Sequence, residues 1–470
     1  MKKKSTLSGA SLVVMWILLA AAPHPAFAGD SPPNILFLFA DDQRADTIAA
    51  LGNPVIKTPH LDRLVRSGMA FDRAYMQGSM SAATCIPSRA MLLSGRNLFH
   101  SSAKLTHEGR FEETWPAAFA RAGYTTFMTG KWHNGPPSLP YSFQIARSVF
   151  PKGMGNPLKL DLSDMVDGKL TPPRPTPRHS CAVFADETIR FIKESKSGPF
   201  FAYVAFDAPH DPHIVPEDFS FHYDPKEIPL PANFLPEHPW NNGEMTVRDE
   251  RLMPWPRTPE RVQAFLADYY RYITYLDTQI GRILDAVAES PYAKNTIVVF
   301  SADSGVAYGS HGLIGKQNLY EHSLRVPLVM SGPGISKDKR TEAMCYLYDV
   351  LPTLGKICEI APPKGSEGID FRAVLHNPSQ PARPEMMFVY KKVQRAVCDG
   401  RWKLIRYPLV DKTQLFDLQA DPQEVTNLAY LPEYAAKVSE LTARLQKAQV
   451  ESSDVVGRNP KSSTNPQQTP

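Results

Sequence analysis

Up to Gly365 the chain alternates between short apolar runs and longer amphipathic stretches. Runs in which nearly every position is apolar predict strands covered on both faces, whereas apolar residues three and four positions apart predict helices. The predicted strands are 34–40, 69–75, 124–128, 200–206, 296–300 and 326–330, and the predicted helices are 59–67, 115–122, 186–195 and 259–289. This alternation predicts an α/β domain with a large, mostly parallel sheet.

The pattern changes after Gly365. Four short strand-like segments, 386–390, 394–398, 402–407 and 414–418, precede one helical segment, 432–448. They predict a small antiparallel sheet with one helix, packed against the first domain. We therefore assign residues 29–365 to a main N-terminal domain and 366–450 to a smaller C-terminal α+β subdomain. Residues 451–470 are polar and contain proline, and we expect this tail to be disordered.

The first 28 residues have the pattern of a secretory signal peptide. A basic run at residues 2–4, an apolar run at 12–22 and the small-residue pattern at 26–28 precede an expected cleavage before Gly29. The apolar run is shorter than the roughly 20 residues of a membrane-spanning helix. We therefore expect an exported protein, periplasmic or secreted, without stable membrane insertion. An uncleaved membrane tether is the alternative.

Composition and charge narrow the function further. With 43% hydrophobic residues among 470, the chain can bury a large core. The formal net charge is +4, and no long basic run occurs outside the extreme N-terminus, so we expect no nucleic-acid partner. The 44 prolines predict long, stiff loops of the kind that build surface sites.

Five cysteines in an exported chain raise the question of disulfides. If Cys85 has a chemical role, the remaining four permit two disulfides in any of three pairings, and their spacing does not choose between them. Unpaired burial is at least as well supported for Cys358, which lies on an apolar helical stretch.

Acidic and basic residues follow four of the predicted core strands. They are Asp41 and Asp42, Lys131 and His133, His210, and Asp303. In open, mostly parallel sheets the ligand site lies beyond the carboxyl ends of the strands. Two adjacent buried carboxylates also repel each other, a cost that a bound cation relieves. Each group alone fits an ordinary loop or strand end, but their convergence predicts a site.

Residues 84–96 predict a tight turn that enters a short apolar helix. Cys85 would start that helix and Pro87 would lie in its first turn, where free N–H groups attract anions. A glycine-punctuated loop at 309–316, which ends in Lys316, can bring its backbone close to a ligand. We interpret Cys85 as a reactive group that faces an anion; a cysteine buried merely as a small hydrophobic residue is the alternative.

The stretch Cys85-Ile86-Pro87-Ser88-Arg89, followed by Leu92-Leu93-Ser94-Gly95-Arg96, resembles the signature of the formylglycine-dependent sulfatases, which belong to the alkaline phosphatase superfamily. The likeness continues in the family's order through residues 41–42, 130–133, 208–210, 302–303, 311–316, 319–321, 325–327, 403–405 and 415–418. The resemblance implies an alkaline-phosphatase-like α/β/α sandwich with a large, mostly parallel mixed sheet. It also implies a sulfatase, a hydrolase of sulfuric esters.

The resemblance implies a role for each matching residue. A maturation enzyme would oxidise Cys85 to formylglycine, the nucleophile, because a cysteine thiolate would remain sulfonated whereas an aldehyde hydrate has a second hydroxyl that expels sulfate. One calcium or magnesium ion would be held by Asp41, Asp42, the modified Cys85, Asp303 and Ser304. The remaining implied roles are sulfate neutralisation by Lys131 and Lys316, orientation of the hydrate by Arg89, proton uptake by His133 and protonation of the leaving alcohol by His210.

Ser304 departs from the family, which usually has asparagine at this position. A serine hydroxyl can bind a hard cation but reaches less far than an amide oxygen, so we expect water to complete the coordination. His311, in the following loop, is expected to contribute only indirectly.

The substrate is the least defined part of the interpretation. The loop 211–256 leaves a core strand and is long enough to form a binding surface. Within it, the residues proposed to contact substrate are His213 and Trp240, with Asn241 and Asn242 as further sugar contacts; each also fits a structural role. We expect a sulfated small molecule or glycan. Two alternatives remain: a phosphodiesterase or phosphonate monoester hydrolase of the same superfamily, and a sulfoglycan-binding relative without turnover.

Overall fold

The structure is a computed structural model that describes residues 31–454 apart from 108–109 and 197. The predicted signal peptide at 1–28 lies outside the described residues, as does the predicted tail from residue 455 onward. Within the described part of the chain, no helix is long and apolar enough to cross a membrane.

Most strands belong to an eight-stranded and a five-stranded sheet. In chain order these strands are β1 Asn34–Ala40, β2 Met69–Phe71, β3 Gly78–Ser79, β4 Thr125–Lys131, β5 Ile145–Phe150, β6 Phe200–Ala205, β7 Thr296–Ala302, β8 Leu328–Ser331, β9 Lys339–Thr341, β10 Met386–Tyr390, β11 Gln394–Cys398, β12 Trp402–Tyr407 and β13 Lys412–Asp417. Two-residue strands pair Ala74–Tyr75 with Cys345–Tyr346, Thr106–His107 with Arg110–Phe111, Asp161–Leu162 with Arg174–Pro175, and Met165–Val166 with Lys169–Leu170.

The α-helices are α1 Pro59–Ser67, α2 Cys85–Ser94, α3 Trp115–Arg121, α4 Ser180–Glu194, α5 Pro259–Ala288, α6 Glu321–Leu324, α7 Val350–Ile357, α8 Arg372–His376 and α9 Ala435–Glu451. Short 3-10 helices lie at Ala49–Leu51, Pro136–Tyr141, Pro225–Glu227, Asp249–Leu252, Leu347–Asp349 and Pro432–Tyr434.

The large sheet has the order β9-β2-β8-β7-β1-β6-β4-β5. Its centre is β1, which pairs in parallel with both β6 and β7 and has all seven residues buried. A strand covered on both faces needs a continuous apolar sequence, which explains the run at 34–40. Only β8 runs antiparallel to its two neighbours, so the mostly parallel mixed sheet is confirmed.

Helices cover both faces of this sheet. One layer contains α1, α4 and α5, and the other contains α2, α3 and α7. The Asp277 carboxylate of α5 accepts the backbone N–H groups of His60 at 3.1 Å and Leu61 at 2.7 Å, at the start of α1. Because the first N–H groups of a helix have no partner within it, this carboxylate caps α1 and fixes it against α5. The layers therefore form the expected α/β/α sandwich.

The five-stranded sheet has the order β13-β12-β11-β10-β3, and α9 packs against it. The four strands β10 to β13 are antiparallel, as predicted. Strand β3 joins them in parallel and makes the sheet mixed, which the sequence did not predict because β3 has only two residues. Since β3 lies six residues before Cys85, this sheet is tied directly to the segment that leads into α2.

Several element boundaries differ from the prediction. Lys131 ends strand β4 instead of following it, because its side chain is buried with the strand. The predicted strand at 69–75 is broken after Phe71. Helix α4 begins at Ser180 rather than 186, and the His179 side chain accepts the Cys181 N–H group there.

Residues 451–454, the start of the tail that was predicted to be disordered, are ordered in the structure. Helix α9 continues through Glu451, and the Asp454 carboxylate is buried and paired with the Arg395 guanidinium of β11. This buried charge pair holds residues 451–454 against the small sheet. It was missed from the sequence because a single charged contact leaves no apolar periodicity.

All five cysteines lie within the described residues, and each has a free thiol. Four of them, including Cys85 and Cys398, are buried, and Cys358 is half-buried. The two disulfides that the sequence permits are therefore absent from this part of the chain. Buried cysteines act as small apolar side chains in the core.

Candidate active site

The carboxyl ends of β1, β4, β6 and β7 meet at one edge of the large sheet. Asp41 and Asp42 follow β1, Lys131 ends β4, and Asp303 follows β7. The ladder extends beyond β1, because the Asp41 N–H group donates to the Ala208 carbonyl at 2.9 Å. Asp42 then adopts a positive φ of 62°, a strained turn that is uncommon for a residue with a side chain. The two carboxylates are thereby placed side by side at the centre of the sheet edge.

Cys85 is the first residue of α2 and faces these carboxylates. Its sulfur lies 3.3 Å from Asp41 Oδ1 and 3.8 Å from Asp42 Oδ1. The start of α2 is fixed by the Ser88 hydroxyl, which donates to the Asp303 carbonyl at 2.6 Å. Cys85 is 2% exposed, so access to its sulfur is narrow.

Two lysines bring positive charge to this point from opposite sides. The Lys131 ammonium forms a salt bridge with Asp41 Oδ2. The Lys316 ammonium lies 2.5 Å from both oxygens of Asp42 and 3.0 Å from the Cys85 sulfur. Both lysine side chains are almost completely buried, so the two ammonium groups act at close range with little screening by water.

Arg89, one turn into α2, joins the two ends of the site. Its Nε donates to Asp303 Oδ2 at 2.9 Å, and its Nη1 donates to the Lys131 carbonyl at 3.2 Å. Its Nη2 is 3.6 Å from Asp41 Oδ2 and has no hydrogen-bond partner within the described residues. A buried guanidinium group with an open donor is suited to bind an anionic oxygen.

Two histidines lie at the edge of this group. His210 Nε2 is 3.6 Å from Asp42 Oδ2, and His210 Nδ1 is 2.8 Å from the Asp211 carbonyl. His133 has a positive φ of 57°, and its ring lies against Gly153, where a Cβ atom would collide with it. Burial, reinforced by the charge of Lys131, lowers the pKa of His133 to about 2. His133 is therefore neutral at physiological pH.

The charges of the site shift the pKa values of its acids. Burial raises the pKa of the Cys85 thiol well above its usual value, and Asp303 and Asp41 raise it further. Burial would also raise the pKa of Asp41, but Lys131 and Arg89 outweigh it and hold that pKa well below its usual range. Burial and the neighbouring Asp41 charge raise the pKa of Asp303. An unmodified Cys85 is consequently a neutral thiol, a weak nucleophile.

The donor atoms fit a hard divalent cation. Ligand atoms of Asp41, Asp42, Cys85 and His210 lie within 4.8 Å of one another. Carboxylate oxygens favour calcium or magnesium over softer metals. A bound cation would also offset the repulsion between the two adjacent buried carboxylates. In the structure, the ammonium groups of Lys131 and Lys316 neutralise them.

Asp303 and Ser304, also predicted as metal ligands, lie directly beside Asp42. Asp303 Oδ1 accepts the Asp42 N–H group at 3.1 Å, and its other oxygen is taken by Arg89. The Ser304 hydroxyl donates to Asp42 Oδ1 at 2.8 Å. In this arrangement the two residues hold Asp42 in position.

The residues of the long loop that were predicted to contact sugar pack against other side chains of the protein. His213 Nε2 is 3.0 Å from the Tyr308 hydroxyl, and its ring packs among aromatic side chains of α5. Trp240 packs edge-to-face on Tyr407 of the small sheet. Burial explains both positions, because an aromatic ring gains more from the core than from an exposed rim.

The two asparagines stabilise turns in the same loop. The Asn241 side chain accepts the Gly243 N–H group at 2.9 Å, and the Asn242 side chain accepts the Glu244 N–H group at 2.9 Å. His311 stacks on Tyr320 with ring centroids 3.8 Å apart. An indirect role of His311 in fixing its loop agrees with this placement.

The sequence interpretation missed a charged segment of the long loop. Arg248 pairs with Asp211, and the Asp249 carboxylate accepts the Gln317 side-chain N–H at 2.6 Å. Glu250 accepts the backbone N–H groups of residues 314 and 315. The signal for this role is the charged run 248–251, which interrupts a loop otherwise rich in proline, asparagine and aromatic residues.

Two protein families match the chain. The family described as Sulfatase matches residues 33–360. The family described as N-sulphoglucosamine sulphohydrolase, C-terminal, matches residues 309–451. Together they cover the large sheet, every residue of the Cys85 group and the small sheet.

Similar proteins include named sulfatases. The N-acetylglucosamine-6-O-sulfatase of Bacteroides thetaiotaomicron is 24% identical, covering 96% of this chain and 92% of its own. The ulvan-active sulfatase of Formosa agariphila is 29% identical, covering 90% of this chain and 82% of its own. A solved structure of a protein in complex with its substrate D-glucosamine-2-N,6-O-disulfate has the same fold, with a TM-score of 0.76, 23% identity and coverage of 91% and 99%.

Proposed function

The chain belongs to the sulfatase family of hydrolases, and we propose that it hydrolyses a sulfate ester of a carbohydrate at the Cys85 group. The carbohydrate is supported by two relatives whose names give N-acetylglucosamine-6-O-sulfate and ulvan as substrates, and by the glucosamine disulfate bound in the similar structure. The N-terminal pattern at 1–28 supports export, to the periplasm or the medium, where such glycans are encountered.

One observation carries the proposal. The Cys85 sulfur lies at the start of a helix, between the Asp41 carboxylate and the Lys316 ammonium, at 3.3 and 3.0 Å. Formylglycine made from this cysteine by a maturation enzyme would supply, as its hydrate, a nucleophilic hydroxyl and a second hydroxyl that lets sulfate leave. The side chains around position 85 would hold that group and the sulfate.

The charged residues fit the demands of sulfate transfer. Lys131 and Lys316, both buried, would neutralise the sulfate oxygens. Preorganised cations in a site without water stabilise developing charge far more than they would in solution. The open Nη2 donor of Arg89 would orient the hydrate.

The two histidines fit proton transfer. His210, at the rim of the site, would protonate the alcohol oxygen that leaves, because an aliphatic alkoxide is a poor leaving group. His133 would accept the proton of the hydrate during sulfate release, when the negative charge of the bound sulfate offsets the burial and the Lys131 charge that lower its pKa.

Asp41 and Asp42 would hold one calcium or magnesium ion, with Asp303 and Ser304 beside them and the modified Cys85 facing it. Such an ion would polarise the sulfate and favour the ionised form of the nucleophile. Isothermal titration of the mature protein with each metal tests this part by itself. A mature protein that binds neither metal would contradict it.

The activity is tested with protein co-expressed with a formylglycine-generating enzyme. Peptide mass spectrometry across Cys85 measures the conversion of thiol to aldehyde. Sulfate release from 4-nitrophenyl sulfate and from a panel of sulfated monosaccharides is then compared with hydrolysis of the matching phosphate and phosphonate esters, with Cys85→Ala as the inactive control.

Each outcome distinguishes one interpretation. Preferred release of sulfate from a sugar supports the proposal. Faster cleavage of the phosphorus esters would favour the phosphonate monoester hydrolase or phosphodiesterase alternative. Saturable sugar binding without sulfate release by converted protein would favour a binding protein without turnover.

A further inference from the structure

The loop that follows His210 returns to the site through a chain of charged contacts. The Asp211 carboxylate receives both terminal nitrogens of the Arg248 guanidinium, with Nη1 at 2.6 Å from Oδ1. Asp211 Oδ1 also lies 3.4 Å from His210 Nδ1. Asp42 lies near Nε2 of the His210 ring, and Asp211 lies near Nδ1 on the other side. Arg248 therefore holds the residue next to Nδ1.

The pairing with Arg248 involves both carboxylate oxygens of Asp211. The Asp211 side chain is 9% exposed, whereas the Arg248 side chain is 40% exposed. A bidentate arginine–carboxylate pair fixes the plane of the carboxylate as well as its distance. Since His210 Nδ1 donates to the backbone carbonyl of Asp211, 2.8 Å away, a fixed Asp211 also fixes the ring.

A second contact of Arg248 ties this pair to the floor of the site. Arg248 Nη1 lies 3.2 Å from Asp249 Oδ1, and Asp249 Oδ2 accepts the Gln317 side-chain N–H at 2.6 Å. Gln317 also donates to the Ala82 carbonyl at 3.0 Å, three residues before Cys85. Through Asp249, Arg248 is thus linked to Gln317 and to the segment that leads into α2.

We propose that Arg248 is a positioning residue that holds His210, through Asp211, at the leaving-group side of the sulfate ester. The inference rests on the proposed function, because it assigns His210 the leaving alcohol. Arg248 itself contacts neither the sulfate site nor Cys85; its contribution is the fixed orientation of the proton donor.

The assignment predicts a dependence on the leaving group. An alkyl sugar sulfate needs a proton on the departing oxygen, whereas 4-nitrophenolate leaves as a stabilised anion. Misplacing an acid by about 1 Å costs roughly 100-fold. Arg248→Met should therefore lower kcat by about 10- to 100-fold on the sugar sulfate. The loss on 4-nitrophenyl sulfate should be several-fold smaller, and KM should change little on either substrate.

The conservative and coupled variants sharpen the test. Arg248→Lys keeps the charge but not the two parallel hydrogen bonds, so it should recover only part of the sugar-sulfate rate. Asp211→Asn keeps the size of the side chain and should reproduce the leaving-group dependence. The double variant should be no slower than the worse single variant, because both changes interrupt one chain of contacts.

A matched control is available on the edge strand β9. Arg340 pairs with Asp72 through Nε and Nη2, is half exposed, and lies four strands away from β1 in the sheet. Arg340→Met should leave both rates unchanged. This control separates the general effect of losing an exposed ion pair from the effect of losing the Arg248–Asp211 pair.

The experiment measures kcat and KM of mature wild-type protein and of these variants on a sugar sulfate and on 4-nitrophenyl sulfate. The positioning role is supported if Arg248→Met and Asp211→Asn each lose more activity on the sugar sulfate than on 4-nitrophenyl sulfate, and if the two losses are not additive in the double variant. Equal losses on both esters, or additive losses in the double variant, would overturn it. A wild type that releases sulfate from neither ester would instead overturn the proposed function, so the two failures are distinguishable.

Discussion

The Lys316 ammonium lies 2.5 Å from each carboxylate oxygen of Asp42, in a site closed to solvent. Burial lowers the affinity of Lys316 for its proton, but the charge of Asp42 outweighs this effect and raises the pKa of Lys316 well above its usual value. Lys316 therefore remains an ammonium ion at physiological pH, next to the carboxylate that is proposed to bind a cation.

Replacing Lys316 with methionine should separate metal affinity from catalysis. The variant removes a positive charge that repels a second cation from Asp42, so calcium affinity should rise. It also removes one cation from the sulfate site, so kcat should fall about 100- to 1,000-fold. Isothermal titration measures the first effect and sulfate release the second.

The control for this variant is Lys339→Met on the exposed face of β9, which should change neither quantity. Weaker calcium binding by Lys316→Met would show that Lys316 organises the carboxylates for the cation instead of competing with it.

Thiol titration should reveal both the burial and the conversion of Cys85. Because burial and the neighbouring Asp303 and Asp41 charges raise its pKa, unconverted Cys85 stays protonated near pH 7.5 and reacts slowly with thiol reagents. In denaturant, all five cysteines should react when Cys85 is unconverted, and one fewer after conversion. A native protein in which Cys85 is labelled rapidly at pH 7.5 would contradict the closed site.

His179 should make the protein less stable in mild acid. Its Nδ1 accepts the Cys181 N–H group at 3.2 Å, and its Nε2 lies 3.0 Å from the Ile214 carbonyl, an arrangement that requires the neutral ring. Burial lowers the pKa of His179 from 6.5 to about 4. The unfolded chain therefore takes up a proton before the folded chain does, and this contribution to stability is present above pH 6.5 and lost as the pH falls towards 4.

The measurement is urea unfolding of wild type and His179→Ala. At pH 7.5 the variant should lose about 1 to 2 kcal/mol, the value of a helix cap. The difference between the two proteins should shrink at pH 5. His222→Ala, at an exposed histidine, should be neutral at both values. A difference for His179→Ala that grows in acid would mean that the ring is protonated in the fold.

The sequence predicted the strand ends but not the loop that supports them. Asp41, Lys131 and Asp303 are adjacent to apolar runs whose burial fixes their place in a parallel sheet, so pattern alone brings them together. Trp240 illustrates the limit, because an aromatic residue in a polar loop fits a sugar platform and a core contact equally well. In the structure its ring packs edge-to-face on Tyr407 of the small sheet.

Contacts between the long loop and the 309–316 loop were equally beyond pattern analysis. Hydrogen bonds that a backbone N–H group donates to a side chain leave no periodicity in the sequence, and here the partners lie more than 60 residues apart. Glu250 shows what such a contact does for the site, because it holds the segment that ends in Lys316.

Glu250 should support catalysis through this loop. Its carboxylate accepts the Gly315 N–H group at 2.8 Å and the Ile314 N–H group at 3.1 Å, and it pairs with the fully buried Arg257. Glu250→Gln replaces one acceptor oxygen with an amide group and leaves Arg257 without its counter-charge. Breaking a buried pair in this way costs about 3 kcal/mol of stability. Loosening the loop should also displace Lys316 and lower kcat about 10- to 100-fold.

The double variant Glu250→Gln/Arg257→Met distinguishes these two effects. It removes the unpaired buried cation, so most of the stability lost by Glu250→Gln should return in urea unfolding. The neutral amide oxygen accepts the backbone N–H groups of Ile314 and Gly315 more weakly than a carboxylate does, so the loop stays looser and kcat should remain low. If kcat recovered together with stability, Glu250 would act only by stabilising the fold, and the position of Lys316 would depend on other contacts of its loop.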